Sequence, residues 1–232
     1  MPDATTPLQV IAVDGPSGSG KSSVSRAVAS RFGYRYLDTG AMYRAIAYWM
    51  SSHGVSVTDE AAVARHVPDV SLVSRTDPQN PGIFVDGEDV GEAIRTDGVT
   101  SIVSAVSAVP EVRNYLVGLQ RAEVAAALDA HTGIVVEGRD IGTTVLPDAD
   151  LKIFLTADQE ARAARRTAQD QQEGRGGEVN ATAQSLAARD AADSARKASP
   201  LTKADDAIVV DATFMTFDEV VAHVIDLVQK AP

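Results

Sequence analysis

The fold of this chain is decided by Val10-Ile11-Ala12-Val13-Asp14-Gly15-Pro16-Ser17-Gly18-Ser19-Gly20-Lys21-Ser22-Ser23. The stretch opens with a short apolar run typical of a buried strand, turns on three glycines, and passes into a helical pattern at Lys21. Residues 15–22 match the phosphate-binding loop pattern G-x-x-x-x-G-K-[ST]. Glycines let consecutive backbone N–H groups wrap a phosphate, and the N-terminus of the following helix faces the same anion. The stretch therefore predicts a site for a nucleoside triphosphate.

The same loop offers groups for a phosphate chain and for a metal ion. We expect Lys21 to reach the β- and γ-phosphates of ATP and the Ser22 hydroxyl to ligate Mg²⁺. The alternative is a Gly- and Ser-rich surface turn that matches by chance, but the strand pattern before it and the helical pattern after it argue against this. The predicted ATP-binding residues are Gly15, Pro16, Ser17, Gly18, Ser19, Gly20, Lys21, Ser22 and Ser23.

Composition excludes several classes of protein. A chain of 232 residues can bury a full core, and 44% hydrophobic with 23% charged residues is typical of a soluble globular protein. The net charge of −11 argues against a nucleic-acid polymer as partner, because phosphate backbones require a basic face. Because there is no cysteine, disulfides, thiolate zinc sites and a cysteine nucleophile are excluded.

Neither a signal peptide nor a membrane span is predicted. Residues 1–9 contain no basic residue, and no apolar stretch approaches the roughly 20 residues that cross a bilayer. We therefore expect a cytoplasmic monomer with no membrane partner. The histidines lack metal-ligand spacing, and we expect none to be catalytic: His53, His66, His131 and His223.

Strand-like apolar runs alternate with helical patterns along the chain. These runs cover residues 10–13, 34–37, 133–137, 151–155 and 207–210. The pattern predicts an α/β fold with a doubly wound, five-stranded parallel sheet that binds ligands at the carboxyl ends of its strands. Residues 38–40 and 137–140 follow two of these strands. Residues 70–75 and 83–85, with the turn signal Asp86-Gly87, predict a small antiparallel insertion.

Arginines gather late in the chain. Arg162, Arg165 and Arg166 share one helical face, and residues 169–178 after them are polar, glycine-rich and expected to be mobile. Residues 189, 193 and 196 share the face of a further helix. The alternative for both faces is a solvated set of salt bridges.

Several longer motifs accompany the phosphate loop. They are Leu37-Asp38-Thr39-Gly40-Ala41-Met42-Tyr43-Arg44, Glu92-Ala93-Ile94-Arg95-Thr96, Pro110-Glu111-Val112-Arg113, Gly138-Arg139-Asp140-Ile141-Gly142-Thr143, and Arg189-Asp190 with Asp193 and Arg196. Together they resemble the bacterial cytidylate kinases, which are nucleoside monophosphate kinases of the P-loop class. The match runs from about residue 8 to residue 230, and the stretches 37–44 and 138–143 are its most specific parts.

The resemblance implies ATP-dependent phosphorylation of CMP and dCMP to the diphosphates, by direct in-line transfer. It implies a CORE of residues 1–57, 97–161 and 189–232, a monophosphate-binding insertion of residues 58–96, and a LID of residues 162–188. Lys21 and the three LID arginines, Arg162, Arg165 and Arg166, would act on the transferring phosphoryl group. Glu137 departs from the family pattern, where an aspartate often precedes Gly-Arg-Asp, and residues 168–180 match too little for any role to be carried over.

The resemblance also implies a set of substrate-binding residues. Ser104, Arg113 and Asp140 would read the cytosine. Arg189 and Asp193 would hold the sugar, and Arg44, Arg139 and Arg196 would hold the acceptor phosphate region. Asp38 and Thr39 complete the implied set. Another role for Asp140 stays open, a salt bridge that only anchors Arg139.

The residue chemistry agrees with phosphoryl transfer. A phosphate with a second pKa of about 6 is already a dianion at neutral pH, so the reaction needs no general base. It needs cations around two phosphate chains, and the bidentate fork of arginine suits this task. Two alternatives remain open, namely a kinase with another acceptor, such as UMP, AMP or shikimate, and a nucleotide-dependent switch. The surplus of arginines favours transfer over a switch.

Overall fold

Strand β1 (Val10–Asp14) is the central strand of a five-stranded parallel sheet. The structure, a computed structural model, describes residues 9–172, 179–196 and 199–231, and it describes Arg189 by its backbone only. The strand order is β2-β6-β1-β7-β8, with β2 Arg35–Asp38, β6 Ile134–Gly138, β7 Leu151–Thr156 and β8 Ile208–Asp211. This arrangement confirms the predicted doubly wound α/β fold.

Eight α-helices accompany the sheets in the described ranges. They are α1 Lys21–Phe32, α2 Thr39–Ser52, α3 Glu60–His66, α4 Asp97–Ala108, α5 Pro110–Asp129, α6 Gln159–Gln172, α7 Val179–Ser194 and α8 Phe217–Lys230. On one face of the sheet, Ile11 and Val13 pack with residues of α1 and α8. On the other face, Ala12 packs with residues of α2, α4 and α5. Because both faces are covered, the inner strands are near-continuous apolar runs.

A second, antiparallel sheet forms the insertion. It contains β3 (Leu72–Arg75), β4 (Gly82–Val85) and β5 (Glu88–Asp89) in sequence order. Asp86 and Gly87 have φ of 52° and 86°, which is the geometry of the predicted tight hairpin. The loop after β3 contacts the main sheet, because the Tyr36 N–H donates to the Thr76 carbonyl at 2.8 Å. The insertion thus covers the edge strand β2.

Local chemistry explains where α2 begins. The pattern predicts a start near Ala41, whereas the helix begins at Thr39. The Asp38 carboxylate accepts the Ala41 N–H at 2.9 Å and caps the helix, so the helix begins two residues earlier than predicted. Most of the polar stretch 169–178 lies outside the residues whose side chains are described. In the part of the chain that the structure describes, no helix is long and apolar enough to span a membrane.

Candidate active site

The loop between β1 and α1 has the geometry of a phosphate cradle. Gly15, Gly18 and Gly20 have φ of 147°, 77° and 93°, conformations that other residues rarely adopt. Gly20 caps α1 without a side-chain hydrogen bond, so the first-turn N–H groups remain available to an anion. The Lys21 ammonium is almost fully buried and donates to the Pro16 carbonyl at 2.7 Å. The loop therefore presents a cation and backbone donors on one side.

Buried acidic groups lie behind this loop. The Asp14 carboxylate accepts the N–H groups of Ile141 and Gly142, each at 2.8 Å, and burial raises its pKa to about 6. The Tyr36 hydroxyl donates to Glu137 at 2.5 Å. Burial and the nearby charge of Asp38 raise the pKa of the Glu137 carboxyl.

The Lys21 ammonium has a depressed pKa. Burial lowers it most, and the neighbouring Arg139 cation lowers it further. The charge of Glu137 acts in the opposite direction. An incoming polyanion would favour the charged ammonium, because an opposite charge nearby stabilises the ionised form.

Arg139 joins the phosphate loop to helix α7. Its guanidinium donates to the Gly15 carbonyl at 2.8 Å and to the Ser17 hydroxyl at 2.5 Å. It also pairs with the Asp193 carboxylate at 2.9 Å, and Asp193 forms a second ion pair with Arg196. Asp140 does not pair with Arg139, so the open alternative for its role, an anchor of Arg139, does not describe this structure.

A cavity of about 90 Å³ lies beside this network. Its lining includes residues predicted to hold the acceptor: Thr39, Arg44, Ser104, Arg113, Arg139, Asp140, Asp193 and Arg196. Arg113 and Asp140 form a buried ion pair in its wall. Burial raises the pKa of the Asp140 carboxyl, and the charge of Arg113 opposes that rise. Arg44 donates to the Thr100 hydroxyl at 2.9 Å. We call this cavity the acceptor pocket.

A second cavity, of about 150 Å³, lies between the phosphate loop and the acceptor pocket. Lys21 and Ser22 contribute to it from the loop side, and Arg44 and Arg139 contribute to it from the acceptor side. Arg166 of α6 also borders it. This connecting cleft places the two sites next to each other, so a group held in one could reach the other.

The arginines of α6 occupy different surroundings. Arg162 forms an ion pair with Asp190 of α7 and donates to the Ser17 carbonyl at 3.0 Å. Arg165 donates to the carbonyls of Ala212 and Met215, in the loop before α8. Arg166 borders the connecting cleft. Arg162 thus holds α6 against the phosphate loop, and Arg165 holds it against the loop before α8.

The donor set near Ser22 suits Mg²⁺. The Ser22 hydroxyl lies beside Glu137, whose pKa it lowers by hydrogen bonding. Asp38 lines the same cleft as Ser22 and Glu137. Hydroxyl and carboxylate oxygens are the ligands that Mg²⁺ prefers, so these residues fit the ion.

Sequence reasoning assigned no role to several residues that the fold brings to the site. Asp14 stands inside the quoted loop stretch, and Asp190, which accepts the Ser17 N–H at 3.0 Å, directly follows Arg189. These two could have been found from their motifs. The contact of Tyr36 with Glu137 spans 101 positions and depends on the parallel pairing of β2 with β6. The side chain of Arg189 lies outside the described residues.

The fold and the glycine-rich loop between β1 and α1 define an α/β protein of the P-loop class. Comparison with known proteins makes this more specific, because the sequence model described as Cytidylate kinase matches residues 11–230. The chain belongs to the cytidylate kinase family. Family membership confirms the predicted kinase and the phosphorylation of nucleoside monophosphates, and it decides against a nucleotide-dependent switch.

Curated relatives support this placement, and a solved structure shares the fold. The chain is 57% identical over 226 residues to a cytidylate kinase from Streptomyces avermitilis, covering 97% of this chain and 95% of the relative. It is 56% identical to a cytidylate kinase from Nocardia farcinica, covering 93% of this chain and 91% of the relative. A crystal structure of an uncharacterized protein from Eubacterium ventriosum shares the fold, with a TM-score of 0.50, 12% identity, and coverage of 96% of this chain and 99% of that chain.

Proposed function

We propose that the protein transfers the γ-phosphoryl group of ATP to CMP and dCMP, forming the diphosphates by direct in-line transfer. The observation that carries the proposal is the connecting cleft, which Lys21 and Ser22 border from the donor side and Arg44 and Arg139 border from the acceptor side. Phosphoryl transfer depends on positioning and charge stabilisation rather than on covalent chemistry by the protein. A continuous, cation-lined cleft serves this need.

On the donor side, the loop residues 15–23 hold the triphosphate of ATP. Lys21 stabilises charge on the β- and γ-phosphates, and its burial strengthens that interaction because little water screens it. The Ser22 hydroxyl would hold Mg²⁺, with Asp38 and Glu137 alongside, and the bound ion neutralises charge on the phosphates. The cationic side chains of the protein neutralise the remaining negative charge of the phosphates.

On the acceptor side, the wall of the pocket reads the base. The Asp140 carboxylate accepts from the N4 amino group of cytosine, the pairing that carboxylates make with this base in nucleic acids. Arg113 donates to O2 or N3, and the Ser104 hydroxyl can act as donor or acceptor. Uracil would present its O4 acceptor to the carboxylate, so two acceptors would face each other without a proton between them, which costs affinity.

Charged residues of α7 and its neighbours hold the rest of the monophosphate. Asp193 and Arg189 bind the sugar, while Arg44, Arg139 and Arg196 bind the acceptor phosphate, beside the cap residues Asp38 and Thr39. In this structure Asp193 is paired with Arg139 and Arg196, so the residue proposed for the sugar and two of those proposed for the phosphate form one network. This network orients the attacking oxygen toward the connecting cleft.

Helices α6 and α7 carry the proposed LID, residues 162–188, over the CORE, and residues 58–96 form the monophosphate-binding insertion. Closure of the LID brings Arg162, Arg165 and Arg166 to the transferring group and excludes water, which would otherwise hydrolyse ATP. We also propose that the protein acts as a monomer.

A coupled assay of ADP release tests the proposal. The purified protein is incubated with ATP and Mg²⁺, and then separately with CMP, dCMP, UMP, AMP or shikimate. We expect rapid release with CMP and dCMP, weak release with UMP, and background release with no acceptor. Preference for another acceptor would overturn the cytosine assignment while leaving the kinase class intact. Equal release without any acceptor would overturn transfer itself.

A further inference from the structure

Arg95 lies in the motif of residues 92–96, and its backbone is fixed on both sides. It ends a one-turn 3₁₀ helix, Ala93–Arg95, directly before α4. On one side the Ile94 side chain is buried in the core. On the other side the Thr96 hydroxyl accepts the Val99 N–H at 3.5 Å and caps α4. The position from which the Arg95 side chain extends is therefore set by the fold.

The Arg95 side chain is exposed to solvent. Within the described residues its guanidinium has no hydrogen-bond or ion-pair partner, although Glu92 and Asp97 are close to it in sequence. The chain contains 32 acidic residues against 21 lysines and arginines, so carboxylate partners are in surplus. An arginine that pairs with none of the described carboxylates is available to an anion that enters the site.

Arg95 borders two cavities on the donor side of the site. One is the connecting cleft, and the other is a cavity of about 290 Å³ between the phosphate loop and the insertion, which we call the insertion cleft. Lys21 and Ser22 line the insertion cleft from the loop, and Arg75 lines it from β3. Arg44 has a different place, because it lines the connecting cleft and the acceptor pocket but not the insertion cleft. Arg95 thus lies toward the phosphate loop, whereas Arg44 lies toward the acceptor.

The connecting cleft has a surplus of positive charge. Its lining contains five lysine and arginine side chains and two carboxylates, in a chain whose net charge is −11. The five cations are Lys21, Arg44, Arg95, Arg139 and Arg166. Arg44 approaches beside Arg95, because its guanidinium donates to the Ile94 carbonyl at 3.2 Å. Such a local concentration of cations in an acidic protein indicates a region that binds a multiply charged anion.

We propose that Arg95 is a further catalytic residue, whose guanidinium contacts the γ-phosphoryl group while it passes from ATP to the monophosphate. The inference rests on the proposed function, in which Lys21 and Ser22 hold the donor phosphates beside the same two cavities. In the transfer, an oxygen of the acceptor phosphate forms a bond to the γ-phosphorus as the bond to the β–γ bridging oxygen breaks, and ADP leaves. Arg95 forms no covalent bond and moves no proton. It donates hydrogen bonds to the negative oxygens of the group in transit, so the insertion supplies catalytic charge in addition to the LID.

Arg95→Ala tests this contact by kinetics. Because the contact forms with the group in transit, kcat should fall about a hundredfold, while KM for ATP and KM for CMP stay within about threefold. The unfolding midpoint should not change, because the side chain is exposed and makes no hydrogen bond or ion pair within the described residues. Arg95→Lys keeps the charge but loses the planar fork, so its kcat should recover to within about tenfold of the wild type.

A binding measurement gives a readout that does not depend on turnover. Aluminium fluoride with ADP, Mg²⁺ and CMP mimics the planar phosphoryl group in transit, and titration calorimetry measures the affinity of the protein for this complex. The affinity should be at least about tenfold weaker in Arg95→Ala, whereas binding of ADP alone and of CMP alone should stay within about twofold. A residue with a purely structural role would weaken all three.

Arg65 offers a matched control for the alanine substitution. It is another exposed arginine of the insertion, on α3, and it borders neither of the two clefts nor the acceptor pocket. Arg65→Ala removes the same charge from the protein, so it reports the effect of net charge alone. Its kcat and both of its KM values should match those of the wild type.

Three results would overturn the proposal: an unchanged kcat in Arg95→Ala, an equal fall of kcat in Arg65→Ala, or an unchanged affinity of Arg95→Ala for the aluminium fluoride complex. A rise in KM for CMP with kcat unchanged would place Arg95 in ground-state binding of the acceptor instead. Failure of the proposed function is visible separately, in the wild-type protein alone. In that case the variants are assayed with the acceptor that the wild type uses, and the same fall in kcat is expected because Arg95 does not line the acceptor pocket.

Discussion

Arg113 and Asp140 form an ion pair within the wall of the acceptor pocket, and both side chains are only 6% exposed. A buried pair of this kind leaves a costly unpaired charge when one partner is removed. The pair also presents a donor and an acceptor side by side, which is the pattern that the edge of cytosine requires.

Asp140→Ala tests whether this pair selects the base. We expect kcat/KM for CMP to fall strongly and that for UMP to fall much less, because uracil does not use the carboxylate. The ratio of kcat/KM for CMP to kcat/KM for UMP should fall at least roughly thirtyfold, which corresponds to about 2 kcal/mol. Steady-state kinetics on both substrates measure it, with circular dichroism to confirm folding. Equal losses on CMP and UMP would mean that Asp140 only anchors Arg113.

Lys21→Ala should abolish transfer and leave the fold intact. Loss of one partner of a desolvated charged contact costs about 2–5 kcal/mol, which corresponds to about 1.5 to 3.7 decades in rate. Burial lowers the pKa of the Lys21 ammonium, so its removal should cost the free protein little stability. The exposed Lys230, paired with Asp226 at 2.6 Å on α8, is the matched control, and Lys230→Ala should retain full activity. A folded Lys21→Ala protein with a tenth of wild-type turnover would refute this role.

Alanine at Arg162, Arg165 or Arg166 should lower kcat more than it raises KM for CMP, if these residues act in the closed state. Arg166→Ala is the sharpest case, because Arg166 borders the connecting cleft. Arg165→Ala should in addition lower the unfolding midpoint, because Arg165 binds the carbonyls of Ala212 and Met215. If the substitutions change only KM, these arginines bind the substrate in its ground state and do not act in the closed state.

Asp14 should make the protein less stable as the pH rises through the acidic range. Burial raises its pKa from 3.8 to about 6, so between these values the folded protein holds a proton that the unfolded chain has lost. The free energy of unfolding should therefore fall with rising pH in this window, by at most about 1.4 kcal/mol per pH unit.

Urea unfolding of the wild type and Asp14→Asn between pH 4 and 7 isolates this contribution. The stability of the wild type relative to the variant should fall as the pH rises from 4 to 6. Asp226→Asn, at a half-exposed position on α8, serves as control for the loss of a carboxylate. Parallel pH profiles for the wild type and Asp14→Asn would show that Asp14 keeps an ordinary pKa.

Gly15→Ala should destabilise the protein more than a typical glycine substitution. Its φ of 147° is unfavourable for alanine, and a β-carbon there would lie 2.0 Å from the backbone carbonyl oxygen of Leu155. We expect a loss of at least about 2 kcal/mol. Gly54→Ala is the control, with a φ of 69° but open space around the added carbon, and should cost about 1 kcal/mol. Equal losses in denaturant unfolding would show that the Leu155 contact can be relieved.

The sequence by itself determined the elements of this protein and the chemistry of its donor loop. The glycine spacing around Lys21 predicts the turn, the apolar runs predict the parallel strands, and Asp86-Gly87 predicts the hairpin of the insertion. These features follow from local physics, because backbone conformation and strand or helix burial depend on residues close in sequence. The motif resemblance supplied eight of the residues that line the acceptor pocket.

Only the tertiary structure decided which of these residues touch. Arg139 pairs with Asp193 rather than with Asp140, and the Tyr36 hydroxyl donates to Glu137 although 101 positions separate the two residues. No local pattern encodes such contacts, since they depend on strand order and on how the helices pack across the sheet. The raised and lowered pKa values of Asp14 and Lys21 depend on the same packing, because burial creates them and burial is a property of the whole fold.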